Sequence, residues 1–141
     1  MNPQRITQPS SIAVLLETHH LPSQDLAQAN DSYFWGLGSP EYYAAIGLER
    51  YGSEGLLRSL VVDVAKRGQG LGRELVAWVE QYAQDEGIKQ LYLLTTTAKP
   101  FFETLGYQSI TRAQLPTSIQ STSQVQGVCP TSADILMKSF V

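Results

Sequence analysis

Leu60-Val61-Val62-Asp63-Val64-Ala65-Lys66-Arg67-Gly68-Gln69-Gly70-Leu71-Gly72-Arg73 is the stretch on which the fold turns. A β-branched apolar run leads into a basic, glycine-rich turn, and the turn opens into an amphipathic helix. Glycines remove side chains, so several backbone N–H groups can converge on one point. The helix N-terminus adds unpaired N–H groups and the positive end of its dipole. Lys66, Arg67 and Arg73 add charge. Together these features describe a site for a phosphate or pyrophosphate. Spacing excludes two common phosphate loops. A nucleotide-hydrolase loop needs a Gly-Lys pair, and none occurs in the chain. A dinucleotide fingerprint needs G-x-G-x-x-G, whereas the glycines fall at 68, 70 and 72 and Arg73 stands in place of the third. The pattern that remains is Arg-x-x-Gly-x-Gly, filled by Arg67, Gly70 and Gly72.

The chain has 141 residues, the length of one domain over 1–141 with a real core. No apolar run approaches membrane-spanning length, and the N-terminal segment has neither the basic start nor the apolar stretch of a signal peptide. A cytoplasmic location without membrane attachment is therefore expected. The single cysteine, Cys129, excludes an internal disulfide and a thiolate-based zinc site. His19 and His20 are adjacent at the end of a predicted helix and cannot form a metal cluster alone, so no metal is expected. A net charge of −3 argues against nucleic acid as a partner, and makes the local basic cluster at 66–73 more telling.

Outward from the turn, the pattern predicts a strand at 4–7, a helix at 12–19 capped by Ser10 or Ser11, and a short turn at 25–29. Strands follow at 32–37 and 42–49 around Gly38-Ser39-Pro40, and at 56–64 after the turn Tyr51–Glu54. The helix at 70–86 carries Leu71, Leu75, Val76, Val79, Tyr82 and Ala83 at helical spacing, with Gly87 suited to its C-terminal cap. A nearly all-apolar strand at 90–96, a helix at 99–105 stopped by Gly106, and strands at 107–112 and 134–140 complete the order. The polar stretch 114–131 is expected to be a long loop. This order gives an α/β fold: a mixed, mostly antiparallel central sheet of about six to seven strands with helices on both faces.

The turn and the element order resemble the GNAT family of N-acetyltransferases over nearly the whole chain, most specifically over Leu60–Tyr107. The resemblance implies the acyl-CoA N-acyltransferase fold, acetyl-CoA as co-substrate, and transfer of its acetyl group to an amine by direct attack on the thioester. Gly68, Gln69, Gly70, Leu71, Gly72 and Arg73, with Arg67, Val64 and Phe102, would hold the cofactor. The backbone N–H of Val62 would meet the thioester carbonyl. The strands at 56–64 and 90–96 would splay to admit the pantetheine arm. Glu49 is the first candidate for general base; its plainer alternative is a solvated strand-end carboxylate. With a tight hairpin at 51–54, Glu49 is expected on the same sheet face as Leu56, Arg58, Leu60 and Val62. Arg58 is a charge in an apolar strand and must be paired. It either pairs with Glu49 or holds a substrate carboxylate. Thr95 is a second candidate contact for the acceptor.

The chain departs from the family where a tyrosine usually protonates the leaving thiolate. That position is Phe102, four residues before Gly106-Tyr107. Either the thiolate leaves unaided, or another hydroxyl serves, with Tyr107 or a threonine as candidates, or the chain binds acyl-CoA without turnover. The strings Leu91–Thr97, Phe101–Tyr107 and Cys129–Ala133, with Gly47-Leu48-Glu49 and Leu57-Arg58-Ser59-Leu60, resemble the branch found with bacterial arsenic-resistance genes. That resemblance suggests a small, amino-acid-like or arsenical amine as acceptor. Arsenic binding through Cys129 alone is weak chemistry, and a packed cysteine is the preferred reading. A non-catalytic acyl-CoA-binding module and a protein N-acetyltransferase are the other readings. The loop 114–131 either folds over the sheet to close the acceptor site or reaches a second subunit in a homodimer.

Overall fold

The structure, a computed structural model, describes residues 2–21, 23, 31–38, 41–122, 124–128 and 132–140. The predicted turn at 25–29, the residues Ser39 and Pro40, and Cys129 lie outside the described residues. The strands are β1 (Gln4–Ile6), β2 (Ser32–Leu37), β3 (Ala44–Tyr51), β4 (Glu54–Val62), β5 (Gln90–Thr95), β6 (Gln108–Ile110) and β7 (Asp134–Ser139). They form one seven-stranded sheet in the order β1-β2-β3-β4-β5-β7-β6. Every pairing is antiparallel except β4 with β5. The mixed, mostly antiparallel sheet is as expected.

Helices cover both faces. On one face α2 (Leu71–Asp85) and α3 (Lys99–Thr104) bury Leu75, Val76, Val79 and Phe102 against Ile46, Leu48, Leu57, Leu91 and Leu93. On the other, α1 (Ala13–Thr18) sets Leu16 beside Phe34, Ala45 and Val61, while α4 (Thr117–Gln120) sets Ile119 on Leu56, Tyr92 and Ile135. The apolar spacing of α2 explains its placement: Leu71, Leu75, Val76, Val79 and Ala83 are its buried residues.

Three expectations change. The β3–β4 turn is tighter than predicted: Tyr51 pairs with Glu54, so β4 begins at Glu54 and ends at Val62, and Val64 opens a short 3₁₀ turn instead. No serine side chain caps α1; a 3₁₀ turn, Pro9–Ile12, precedes it. The stretch 114–131 is not a featureless loop. It contains α4 and a π-helical turn, Gln124–Val128, anchored on the sheet by Leu115, Ile119 and Val125. Such sparse apolar anchors, four or more residues apart in a polar run, give little periodic signal.

β4 carries a bulge that positions the site. Ala45 faces Val61 and Gly47 faces Arg58, so Ile46 is opposed by both Ser59 and Leu60. Ser59 takes φ +59°, a left-handed conformation rare for non-glycine residues. One inserted residue reverses the side-chain alternation beyond it. Glu49, Leu56 and Arg58 therefore share a face as expected, but Leu60 and Val62 turn to the opposite face, with α2.

Candidate active site

β4 and β5 pair only from Glu54–Gln90 to Leu56–Tyr92, although both strands run on. Beyond that point they part, as the family resemblance implied. A cavity of about 390 Å³ opens between them. Leu57, Arg58, Ser59 and Leu60 line it from β4; Leu93, Leu94 and Thr95 line it from β5, and Ala98 and Phe102 from the α3 end. His20, Leu21, Gln124 and Ala133 also line it.

The glycine turn lies past the end of β4. Gly68 and Gly70 have φ +84° and +77°, and a side chain at either would meet nothing within 4 Å. Backbone conformation, not crowding, therefore calls for glycine there, and the turn is open to a ligand. Gly72 sits in the first turn of α2, where a Cβ would be 3.4 Å from Phe101. Leu71 is buried and anchors the turn, while Gln69 and Arg73 are exposed. Lys66 lies over the Tyr43 ring. The Arg67 Nε donates to the Val62 carbonyl at 3.0 Å, and its Nη2 lies 3.2 Å from His19 Nδ1. Arginine only donates, so Nδ1 accepts, and the Nε2–H of His19 donates to Asp63 Oδ1 at 3.3 Å. This chain of contacts ties the end of α1 to the turn.

The backbone of Val62 is oriented by its neighbour. The Asp63 N–H donates to the Tyr43 carbonyl at 2.7 Å. Successive N–H groups of a strand point to opposite edges, so the Val62 N–H points away from β3, to the edge of β4 that β5 has left. Val62 and Val64 do not line the cavity itself, and Val64 is 65% exposed.

Arg58 and Glu49 form a buried ion pair, Nη1 to Oε2 at 2.7 Å, with side chains 0% and 3% exposed. The second oxygen of Glu49 accepts from the Tyr51 hydroxyl. Arg58 Nε donates to Ser59 Oγ at 3.1 Å, and its guanidinium lies over the Phe34 ring. Gly47, opposite Arg58, makes room for that ring: a Cβ there would sit 2.6 Å from Phe34. The solvated alternative for Glu49 is thereby excluded. Arg58 lines the cavity; Glu49 does not.

The other candidates divide. Phe102 is a buried wall of the cavity, packed edge-to-face on Phe101 and Tyr107. Thr95 lines the cavity, and its Oγ1 accepts from the Ala98 N–H at 3.0 Å, which turns the chain into α3. Tyr107 does not line it. Its hydroxyl donates to Glu80 of α2 at 2.8 Å, beside Lys138. Burial pushes that hydroxyl well above the ordinary tyrosine range, and the Glu80 carboxylate pushes it further. In this arrangement the Tyr107 hydroxyl is engaged with Glu80 away from the cavity lining. Leu21, Gln124 and Ala133 were not singled out from sequence, and His20 was considered there only as a metal ligand. Among the described residues no three histidine, cysteine, aspartate or glutamate side chains gather as a metal set, and no helix is long and apolar enough to cross a membrane.

Comparison with known proteins agrees with this geometry. A family model for the acetyltransferase (GNAT) domain matches residues 30–109. An uncharacterised N-acetyltransferase of Chlorobaculum tepidum is 35% identical over 63 residues, which is 45% of this chain and 40% of that relative's length. Among solved structures, Tetrahymena GCN5 superposes with a TM-score of 0.79 at 10% identity, covering 100% of this chain and 97% of that one. The N-acetylglutamate synthase of Neisseria gonorrhoeae, in complex with coenzyme A and N-acetyl-glutamate, gives 0.74 at 18% identity. That alignment covers 100% of this chain but 36% of the synthase. At such identities the structures speak for the fold.

Proposed function

The chain belongs to the GNAT acetyltransferase family, and we propose from that premise that it transfers the acetyl group of acetyl-CoA to the amine of a small, amino-acid-like acceptor. The observation that carries this reading is the parting of β4 and β5 after Leu56–Tyr92, with a cavity between them that His20, Gln124 and Ala133 also line. A cavity of about 390 Å³ suits a small acceptor better than a protein chain. The Neisseria synthase holds an N-acetylated amino acid alongside coenzyme A. The resemblance to the arsenic-resistance branch points the same way, towards an amino-acid-like or arsenical amine.

In this reading the backbone N–H groups of Gly68–Arg73 hold the pyrophosphate at the start of α2. The Val62 N–H meets the thioester oxygen as it gains charge. The amine forms the C–N bond, the C–S bond breaks, and the electron pair leaves on sulfur. Arg58 lines the cavity with its charge already paired to Glu49, and its second role in this reading is to attract an acceptor carboxylate. Phe102, a ring with no proton to give, is the specific observation favouring the second reading, a module that binds acyl-CoA without turnover. Thiol release from acetyl-CoA, measured with the twenty L-amino acids and L-phosphinothricin, separates the two. Release with at least one amine supports transfer; saturable binding with no release supports the module.

A further inference from the structure

We propose that His20 is the general base of the cleft, the group that takes the proton from the acceptor amine. This rests on the acetyltransferase reading above.

Among the described residues that line the cavity, only His20 and Arg58 carry ionisable side chains. An arginine stays protonated in proteins and cannot accept a proton. Glu49 is sequestered, one oxygen on Arg58 and the other on Tyr51. An imidazole is the side chain whose ordinary titration brackets neutrality, and His20 alone brings one to this cavity.

The backbone sets His20 apart. α1, α2 and α3 end in the same six-residue turn. The Leu21 N–H donates to the Leu16 carbonyl and the His20 N–H to the Glu17 carbonyl. In α2 the equivalent bonds run from Ile88 to Ala83 and from Gly87 to Gln84; in α3, from Tyr107 to Phe102 and from Gly106 to Glu103. The left-handed position of this motif is a glycine in α2 and α3, with φ +83° and +94°. In α1 it is His20, with φ +60°. A histidine is costlier than glycine in that conformation. Backbone strain of this kind gathers at functional sites. His20 is exposed and lines the cavity from the end of α1. Unlike His19, whose ring bonds Asp63 and Arg67, the His20 ring makes no hydrogen bond among the described residues. The charged groups on the neighbouring elements are Arg58, which also lines the cavity from β4, Glu17 on the same helix, which accepts from Ser23, and Asp63 and Arg67, which contact the adjacent His19.

The step balances without a second acid. The amine nitrogen bonds the thioester carbon and gives one proton to the imidazole. Collapse of the adduct restores the carbonyl and breaks the C–S bond. The sulfur leaves with the electron pair and takes the proton back from the imidazolium, which resets His20. Phe102 in the usual acid position is then no obstacle.

His20→Asn and His20→Gly test the proposal, with acetyl-CoA and the fastest amine of the panel above. Asparagine and glycine both tolerate the left-handed turn. His20→Gly is expected to unfold a few degrees higher than the parent, on the order of 3 °C. Both variants should bind acetyl-CoA as the parent does. Their kcat/KM at pH 7 should fall by about 10² to 10⁴-fold. The parent's loss of kcat/KM on acidification through the imidazole range should be absent from both, and added imidazole should partly restore His20→Gly. Turnover within about twofold of the parent at every pH would overturn the proposal. A parent that releases no thiol with any amine overturns the acetyltransferase reading itself, and the base with it.

Discussion

Arg58→Met is expected to be severely destabilising, and its partner change Glu49→Leu should rescue much of the loss. The two side chains are 0% and 3% exposed, and their 2.7 Å contact is the shortest path for either charge to find compensation. Removing the arginine leaves a buried carboxylate with the Tyr51 hydroxyl. It also empties the space over Phe34 and removes the Nε bond to Ser59 at the bulge. Breaking a buried pair from one side costs about 3–5 kcal/mol. For a chain of 141 residues, 1 kcal/mol is worth roughly 3–4 °C of Tm, so the expected fall is about 10–20 °C. Replacing both partners by apolar groups removes the uncompensated charge. The double variant should therefore recover to within about 2 kcal/mol of the parent, a coupling of at least about 1 kcal/mol. Urea unfolding followed by circular dichroism on the four proteins measures the cycle. Single changes below about 1 kcal/mol that simply add in the double variant would refute the reasoning. The folded double variant then serves a second purpose. If Arg58 also holds an acceptor carboxylate, the acceptor KM should rise about tenfold or more while acetyl-CoA affinity is unchanged.

Further changes probe the turn, the bulge and Tyr107. Gly70→Ala strains a φ of +77° without steric contact; it should cost about 1–2 kcal/mol of stability and tenfold or more of acetyl-CoA affinity by calorimetry. Gly52→Ala, at φ +66° in the equally open β3–β4 turn, should cost similar stability and no affinity. Ser59→Val puts a β-branched residue at φ +59° and should lose about 1–3 kcal/mol by thermal unfolding, with turnover falling as the β4 edge shifts. Tyr107→Phe should leave kcat and its pH profile intact while costing about 1–2 kcal/mol of stability. Tyr107 keeps its proton when folded, whereas in the unfolded chain it ionises above about pH 10. Its contribution is thus whole below that pH and falls by about 1.4 kcal/mol per pH unit above it. Alkaline unfolding of the variant should lack that slope.

Element order was legible because its carriers are local. The apolar stripe of α2, the all-apolar β5 and the glycines ending α2 and α3 each declare themselves within a few residues. The Arg58–Glu49 pair was legible in outline, since a charge inside an apolar strand must find a partner. The bulge was not. Its strained residue is a serine, which carries no turn signal of the kind a glycine gives, and missing it put Leu60 and Val62 on the wrong face. The engagement of Tyr107 was not legible, because its partner Glu80 lies 27 residues away on α2, a pairing that packing creates. His20 was seen only as one of two adjacent histidines. What distinguishes it from His19 is a left-handed helix end and a place in the cavity lining, neither of which spacing reveals.

The central claim is acetyl transfer within the β4–β5 cleft. Acetyl-CoA labelled with ¹³C in the acetyl group, incubated with the protein and the amine panel and followed by mass spectrometry, tests it most directly. The account predicts label on an amine nitrogen, one amide for each thiol released, with the signal strongly reduced in Gly70→Ala at subsaturating acetyl-CoA. Label that stays on coenzyme A, or is lost to acetate with every amine present, would contradict it.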